Sequence, residues 1–197
     1  MKNFICVLIF AVCNLYAGGD AMFGLIFGQT PKEIRDKGIT LVFEKADYNF
    51  TIYSCVSLPK NFSTVEKYHL VFSDDSLVKI TMLTKDITND IYGSNGKKQY
   101  EETFNLLKKK YTLDVSTMVT GLKVYDEPDE FYECLKYDGC GAFGAIFKNP
   151  TKAVLLELKG SGRGVGYIRM GVEAVPEFDQ AADKNAKAVQ NNNIDAF

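Results

Sequence analysis

The constraint that does most to limit the fold is a change of apolar period from helical to alternating between residues 50 and 82. In Phe50-Thr51-Ile52-Tyr53-Ser54-Cys55-Val56-Ser57-Leu58 the even positions are mostly apolar and the odd positions mostly polar or amphipathic, the pattern of a half-buried strand. Pro59 ends that run. Tyr68-His69-Leu70-Val71-Phe72 repeats the alternation, and Ser73-Asp74-Asp75-Ser76 turns the chain. A third run puts Val78, Ile80 and Met82 on one face and Lys79 and Thr81 on the other. Three such runs joined by turns predict an antiparallel meander.

Helices are signalled on either side. Thr30-Pro31-Lys32-Glu33 combines a capping box with proline at the first helical position, and Gly38 is placed to stop the short helix. Asn95-Gly96 reads as a break ahead of a helix over Lys97 to Lys110. There Tyr100, Thr103, Phe104, Leu107 and Tyr111 recur at three- and four-residue spacing, while Glu101, Lys108 and Lys109 stay outside. Asp126-Glu127-Pro128-Asp129-Glu130 opens another short helix with Phe131 and Leu135 inward, ending near Asp138-Gly139. Three strand-like runs follow, 141–148, 153–159 and 165–175. Gly160-Ser161-Gly162-Arg163-Gly164 forms the hairpin between the last two. The reading is therefore an α+β fold, with antiparallel sheet built from two helix-plus-three-strand-meander units in a single domain over 18–175. From Pro176 alanine, asparagine and charge dominate, and 176–197 reads as a mobile polar tail.

The chain begins with the three-part pattern of a secretory signal peptide. Lys2 supplies the positive start, Phe4 to Val12 is unbroken apolar, and Ala17, Gly18 and Gly19 are small. The expected signal is 1–17, with cleavage after Ala17 or Gly19. Asn14 and Asp20 interrupt the run before the ~20 residues a membrane span needs, so no stable membrane insertion is expected once the signal is removed. Export changes the cysteine count from five to three. In an oxidising compartment Cys134 and Cys140 are the natural pair around an Asp-Gly turn, with Cys55 left over as a buried thiol or an intermolecular bridge; pairing of Cys55 with one of the other two is the alternative that the sequence leaves open. Lys2 leaves with the signal, so 22 basic residues face 25 acids. That mildly acidic balance has no electrostatic footprint for nucleic acid.

Few groups could carry chemistry. His69 is the single histidine, so no HExxH motif or multi-histidine metal site forms, and neither a metal nor a cofactor is assigned. Cys55 and His69 lie on strands that could be neighbours, which permits a thiol–imidazole pair in principle. Asp126, Glu127, Asp129, Glu130 and Glu133 concentrate carboxylates, yet a helix start accounts for the first four. The glycine-rich stretch Gly160–Gly166 runs on into a strand rather than a helix, which disfavours a phosphate cradle. It can instead project as a recognition finger formed by Ser161, Gly162, Arg163, Gly164 and Tyr167.

Taken together, FGLIFGQTPKEI, the alternating run closed by Pro59, YHLVF, LVKITML, IYG with the FNLLKKKY helix, and VGYIRM resemble a group of small exported bacterial proteins of unsettled function. The repeated helix-plus-meander plan is similar to that of secreted beta-lactamase inhibitor proteins, an analogy of fold only. Ser161-Gly162 followed by Tyr167 resembles the Ser-Gly-x-x-Tyr loop of periplasmic lysozyme inhibitors, with the tyrosine two residues later. The expectation is a periplasmic or secreted, non-catalytic protein that binds a protein or other envelope macromolecule, as an inhibitor or immunity-type factor. The rival is an exported hydrolase or metal-dependent enzyme using the acidic segment or the Cys55/His69 pair.

Overall fold

The structure is a computed structural model that describes residues 19–122 and 124–194. The expected signal segment, with Cys6 and Cys13, lies outside the described residues. The elements are α1 (Pro31–Asp36), β1 (Val42–Asp47), β2 (Phe50–Cys55), β3 (Val65–Ser73), β4 (Ser76–Thr84), α2 (Ser94–Lys108) and β5 (Thr112–Val119). After a 3-10 turn at Pro128–Glu130 come α3 (Phe131–Lys136), β6 (Ala142–Asn149), β7 (Lys152–Gly162), β8 (Val165–Ala174) and α4 (Glu177–Ile194). The strands form one antiparallel sheet in the order β1-β2-β3-β4-β8-β7-β6-β5. The fold is α+β, and each half is a four-strand meander, joined to the other through β4 and β8.

The expected three-strand units thus each gain an edge strand, β1 and β5, that periodicity did not reveal. The reason is burial. Every residue of β1 is exposed, and in β5 only Leu113 is not, so neither strand alternates. Pairing also corrects the parity of β2. Cys55 lies opposite Tyr68 and Tyr53 opposite Leu70, so its odd positions face the core and Phe50 and Ile52 face the other way. For β4 the expected faces hold, with Ile80 and Met82 buried and Lys79 and Thr81 opposite.

One sheet face carries the main core. Tyr68, Leu70 and Phe72 of β3, Ile80 and Met82 of β4, Val154, Leu156 and Leu158 of β7, and Ile168, Met170 and Val172 of β8 are buried there. α1 is built as its sequence requires, with a reciprocal Thr30–Glu33 capping box and Gly38 at φ +82° just past its end. α2 packs Tyr100 on Phe143 and Phe104 on Phe147, with ring centroids 5.2 and 5.3 Å apart. The segment before α1 also enters the core, with Phe23 edge-on to Tyr68 at 5.1 Å. Lys152, 5% exposed, holds this segment with its ammonium on the Asp20 backbone carbonyl, 3.4 Å from the Asp20 carboxylate.

α2 starts three residues earlier than expected, and Gly96 falls in its first turn instead of breaking the chain. Asp90 explains this. Its carboxylate accepts the backbone N–H groups of Asn95 and Gly96 at 3.1 and 2.9 Å, satisfying donors that a helix start leaves open. The Tyr132 hydroxyl of α3 donates to the same carboxylate at 2.8 Å. Tyr132 is fully buried because glycines make its socket: a Cβ at Gly96, Gly160 or Gly166 would lie well inside van der Waals contact with it.

The segment from Glu177 is also a correction, since it is helical where a mobile tail was expected. Phe178 stacks on Phe50 with centroids 5.9 Å apart, Ala181 is buried, and Lys184 pairs with Asp74 at 2.7 Å. Spaced three or four apart, these residues put one side of α4 on the sheet face that α1–α3 leave open.

Two consequences are measurable by urea denaturation. Tyr132→Phe lowers stability by about 1–3 kcal/mol by removing a hydrogen bond to a buried carboxylate. Gly160→Ala costs at least about 2 kcal/mol, because its Cβ collides with backbone, while Gly162→Ala, with nothing within 4 Å of the new carbon, stays within about 0.5 kcal/mol. The acid limb depends on the same cluster. Burial pushes the Asp90 carboxyl upward, but the N–H groups of Gly96, Asn95 and Ser94 and the Tyr132 hydroxyl outweigh it, leaving it below the usual carboxylate range. A depressed folded value gives stability that is present above the unfolded pKa near ~4 and drains away as pH falls through the folded value. Asp90→Asn therefore lowers stability at neutral pH and flattens its loss on acidification.

Candidate functional site

The β7–β8 hairpin, expected to be a projecting finger, is fastened close to its turn. Ile87 N–H donates to the Gly166 carbonyl at 2.7 Å, Gly166 N–H donates back at 3.1 Å, and Asp90 N–H donates to the Gly164 carbonyl at 3.1 Å. At the tip the Arg163 guanidinium pairs with the Asp129 carboxylate, and the Ser161 hydroxyl reaches the Val165 carbonyl at 3.4 Å. Gly164 adopts φ +64°, a left-handed conformation that glycine permits. Ser161 and Arg163 are exposed, Gly162 is half-buried and Gly164 is buried. Tyr167 is not brought to that tip. It lies beside Lys159 on the open face of the sheet, opposite the face that α3 covers.

That open face is the larger feature. Cross-strand ion pairs run over it, Lys79 with Glu173 and Arg169 with Glu157, each at 2.5 Å. Half-buried Ile52, Val71, Leu155 and Ile146 lie between and beside them. α4 covers one end only, where the Lys79 ammonium sits 4.7 Å from the Phe178 ring centroid. Beside Phe178 is a groove of about 560 Å³ lined by Glu44, Lys45, Ile52, His69 and Thr81. Lys79 and Glu173 escape sequence reasoning because they are 94 residues apart and meet only through the β4–β8 register, whereas Glu157 and Arg169 are 12 apart and face one another in the β7–β8 pairing.

The rival chemistry is separated by the same sheet. Cys55 pairs across from Tyr68, and His69 pairs across from Ser54, so the thiol faces the helix-covered core and the imidazole faces the open side. The two side chains are not brought together. Burial pushes the Cys55 thiol up to about 11. His69 is held below its usual value by burial first and by the Lys67 ammonium second, against a smaller opposing pull from Glu44. The acidic segment is occupied locally. Glu127 and Glu130 form a capping box, Asp129 holds Arg163, and Glu133 on α3 is half-buried. Among the described residues no group of three or more His, Cys, Asp or Glu is arranged to hold a metal ion, and no helix is long and apolar enough to cross a membrane.

Cys134 and Cys140 form a disulfide across six residues, and Cys55 is a buried free thiol. The bridge pins the segment after β5, where Gly121 N–H donates to Cys134 Sγ at 3.1 Å and Leu122 N–H to the Cys140 carbonyl at 2.9 Å. Among known proteins, no family model matches this chain, and neither a curated protein nor a solved structure matches it.

A buried thiol with a raised pKa is predicted to resist alkylation. At pH 7.5 the native, unreduced chain beginning at Gly18 takes up less than about a tenth of a maleimide equivalent in the time its urea-unfolded form takes up one, since only the thiolate reacts; mass spectrometry reads both. Arg163→Ala lowers the unfolding free energy read by urea denaturation by less than about 1 kcal/mol, because its ion pair is exposed.

Proposed function

We propose that the chain is an exported, periplasmic or secreted, non-catalytic protein that binds another protein or envelope macromolecule, acting as an inhibitor or immunity-type factor. The observation that supports this best is the open face of the sheet. Eight strands spaced ~4.8 Å apart make a surface ~34 Å wide, and the eight- to eleven-residue central strands make it ~25–35 Å long. That is of the order of the ~800 Å² per partner that a stable interface buries. Its cross-strand ion pairs between half-buried apolar side chains make a rigid, mixed surface suited to a folded partner. Tyr167 belongs to this face, and Arg163 stands at its hairpin end.

Export is supported by the apolar start of the chain and by the Cys134–Cys140 bridge, a bond that persists in oxidising compartments. The resemblance to small exported bacterial proteins and the analogy to beta-lactamase inhibitor proteins belong to the same proposal. The enzyme alternative is weakened by the strand parity that sends Cys55 and His69 to opposite faces.

Two measurements test this reading. Mass spectrometry of the exported protein is expected to show loss of 17 or 19 residues, and recovery of intact Met1 overturns the localisation. Affinity capture from the exported fraction is expected to retain a partner with the wild type and to lose at least about tenfold of it with Tyr167→Ala and Arg163→Ala combined, the loss expected when two contact residues are truncated. Capture unchanged by those substitutions removes the hairpin from the interface.

A further inference from the structure

The two edges of the sheet are built differently. β1 carries Glu44, Lys45 and Asp47 in six residues, charges of the kind that keep an exposed edge from pairing. β5 is eight residues long, and Asp114 is its one charge. Asp114 sits at an irregularity between Leu113 and Val115 and is paired with its own neighbour, Lys148, at 2.7 Å. The rest of the strand, Val115-Ser116-Thr117-Met118-Val119, has no charge, proline or glycine, is in regular register with β6, and among the described residues has no strand on its outer side. Exposed apolar side chains gather there too: Val115, Met118 and Val119 on the strand, and Leu122, Val124 and Tyr125 just beyond it.

We propose that β5 is a homodimer interface, pairing antiparallel with β5 of a second copy about a two-fold axis through Thr117, so that two eight-stranded sheets join edge to edge. The occupant is argued from the strand's self-complementarity. With Thr117 on the axis, Val115 faces Val119 of the second copy, Ser116 faces Met118, and Thr117 faces itself. Asp114 then meets an uncharged threonine, Thr120, so no like charges oppose one another. Threonine pairs and β-branched apolar pairs stabilise antiparallel strands, and the contact is isologous, as a closed two-fold dimer requires. Val115, Thr117 and Val119 project on the open-face side, in line with Ile146 and Leu155. The dimer therefore widens the open face without covering it, and it stands or falls independently of the binding function proposed above. The disulfide adds to it by fixing the chain that leaves β5 through Gly121 and Leu122.

Sedimentation of the mature protein over a concentration series, followed by cross-linking, tests this. The expected result is a monomer–dimer equilibrium whose dissociation constant rises at least about tenfold in Thr117→Lys, which puts two like charges face to face, with the thermal midpoint of the diluted monomer unchanged. Cα atoms directly opposed across such a pair lie ~4.5–5.5 Å apart, within disulfide reach. Thr117→Cys is then expected to form an oxidised, reducible dimer, while Val115→Cys, displaced four residues from its own copy, does not. A monomer at every concentration overturns the proposal, as does equal cross-linking of the two cysteine variants. If Thr117→Lys leaves a monomeric protein monomeric and abolishes capture of a different protein, β5 is that partner's docking edge and the homodimer is likewise excluded.

Discussion

The hydrogen bond from Tyr132 to Asp90 joins three parts of the chain that share little sequence. Asp90 belongs to the loop after β4 and caps α2; Tyr132 belongs to α3; and of the glycines packed on Tyr132, Gly96 of α2 and Gly166 of β8 face its ring and hydroxyl while Gly160 of β7 faces its backbone carbonyl. A buried carboxylate is costly unless its lone pairs are satisfied, and Asp90 is satisfied only when α2 has started at Ser94 and α3 has docked. Tyr132 in turn needs hydrogen at three glycine positions to approach closely enough. Placement of both helices on the sheet therefore depends on one shared polar contact, while the apolar core beneath them supplies less directional adhesion.

That arrangement explains which parts of the fold were legible in sequence. Local signals were reliable: the capping box at Thr30, the apolar stripe of α2 and the alternation of β3 and β4 are each decided within a few residues. Signals depending on distant partners were not. Asn95-Gly96 reads as a break, because nothing local reveals that Asp90 supplies the cap or that Gly96 accommodates a tyrosine from far along the chain. β1 and β5 were invisible because an exposed edge strand has no buried face to imprint a period of two. The parity of β2 was misread for a related reason: Phe50 and Ile52 are apolar because α4 and the open face use them, while Cys55 and Tyr53 take the core side. Alternation locates a strand but does not say which side is inside when both sides are partly covered.

The helix α4 shows how a polar segment can still fold. Its composition suggested a solvated tail, and most of its surface is indeed solvated, but one phenylalanine, one alanine and one lysine at helical spacing suffice to lay it against Phe50 and Asp74. Most helical stability in proteins comes from such packing rather than from propensity. Because α4 reaches only one end of the open face, the remaining strands keep side chains that are half-buried by their neighbours and still accessible, fixed in cross-strand pairs.

The glycine-rich hairpin is the place where sequence and structure differ most for function. Four glycines between positions 160 and 166 suggest a hairpin that projects as a recognition finger, yet Gly160 and Gly166 are there to admit Tyr132, and Gly164 to close the turn over Ile91. The hairpin is consequently rigid, and its arginine is already engaged by Asp129. A partner that took Arg163 would have to replace that carboxylate with its own, an exchange between exposed ion pairs worth less than about 1 kcal/mol. Arg163 is therefore better suited to setting orientation than to supplying affinity. In the binding role proposed above, affinity would have to come from the open sheet face that the helices leave uncovered, with Tyr167 at its hairpin end. Rigidity favours that division: a hairpin already ordered loses no further conformational entropy on binding.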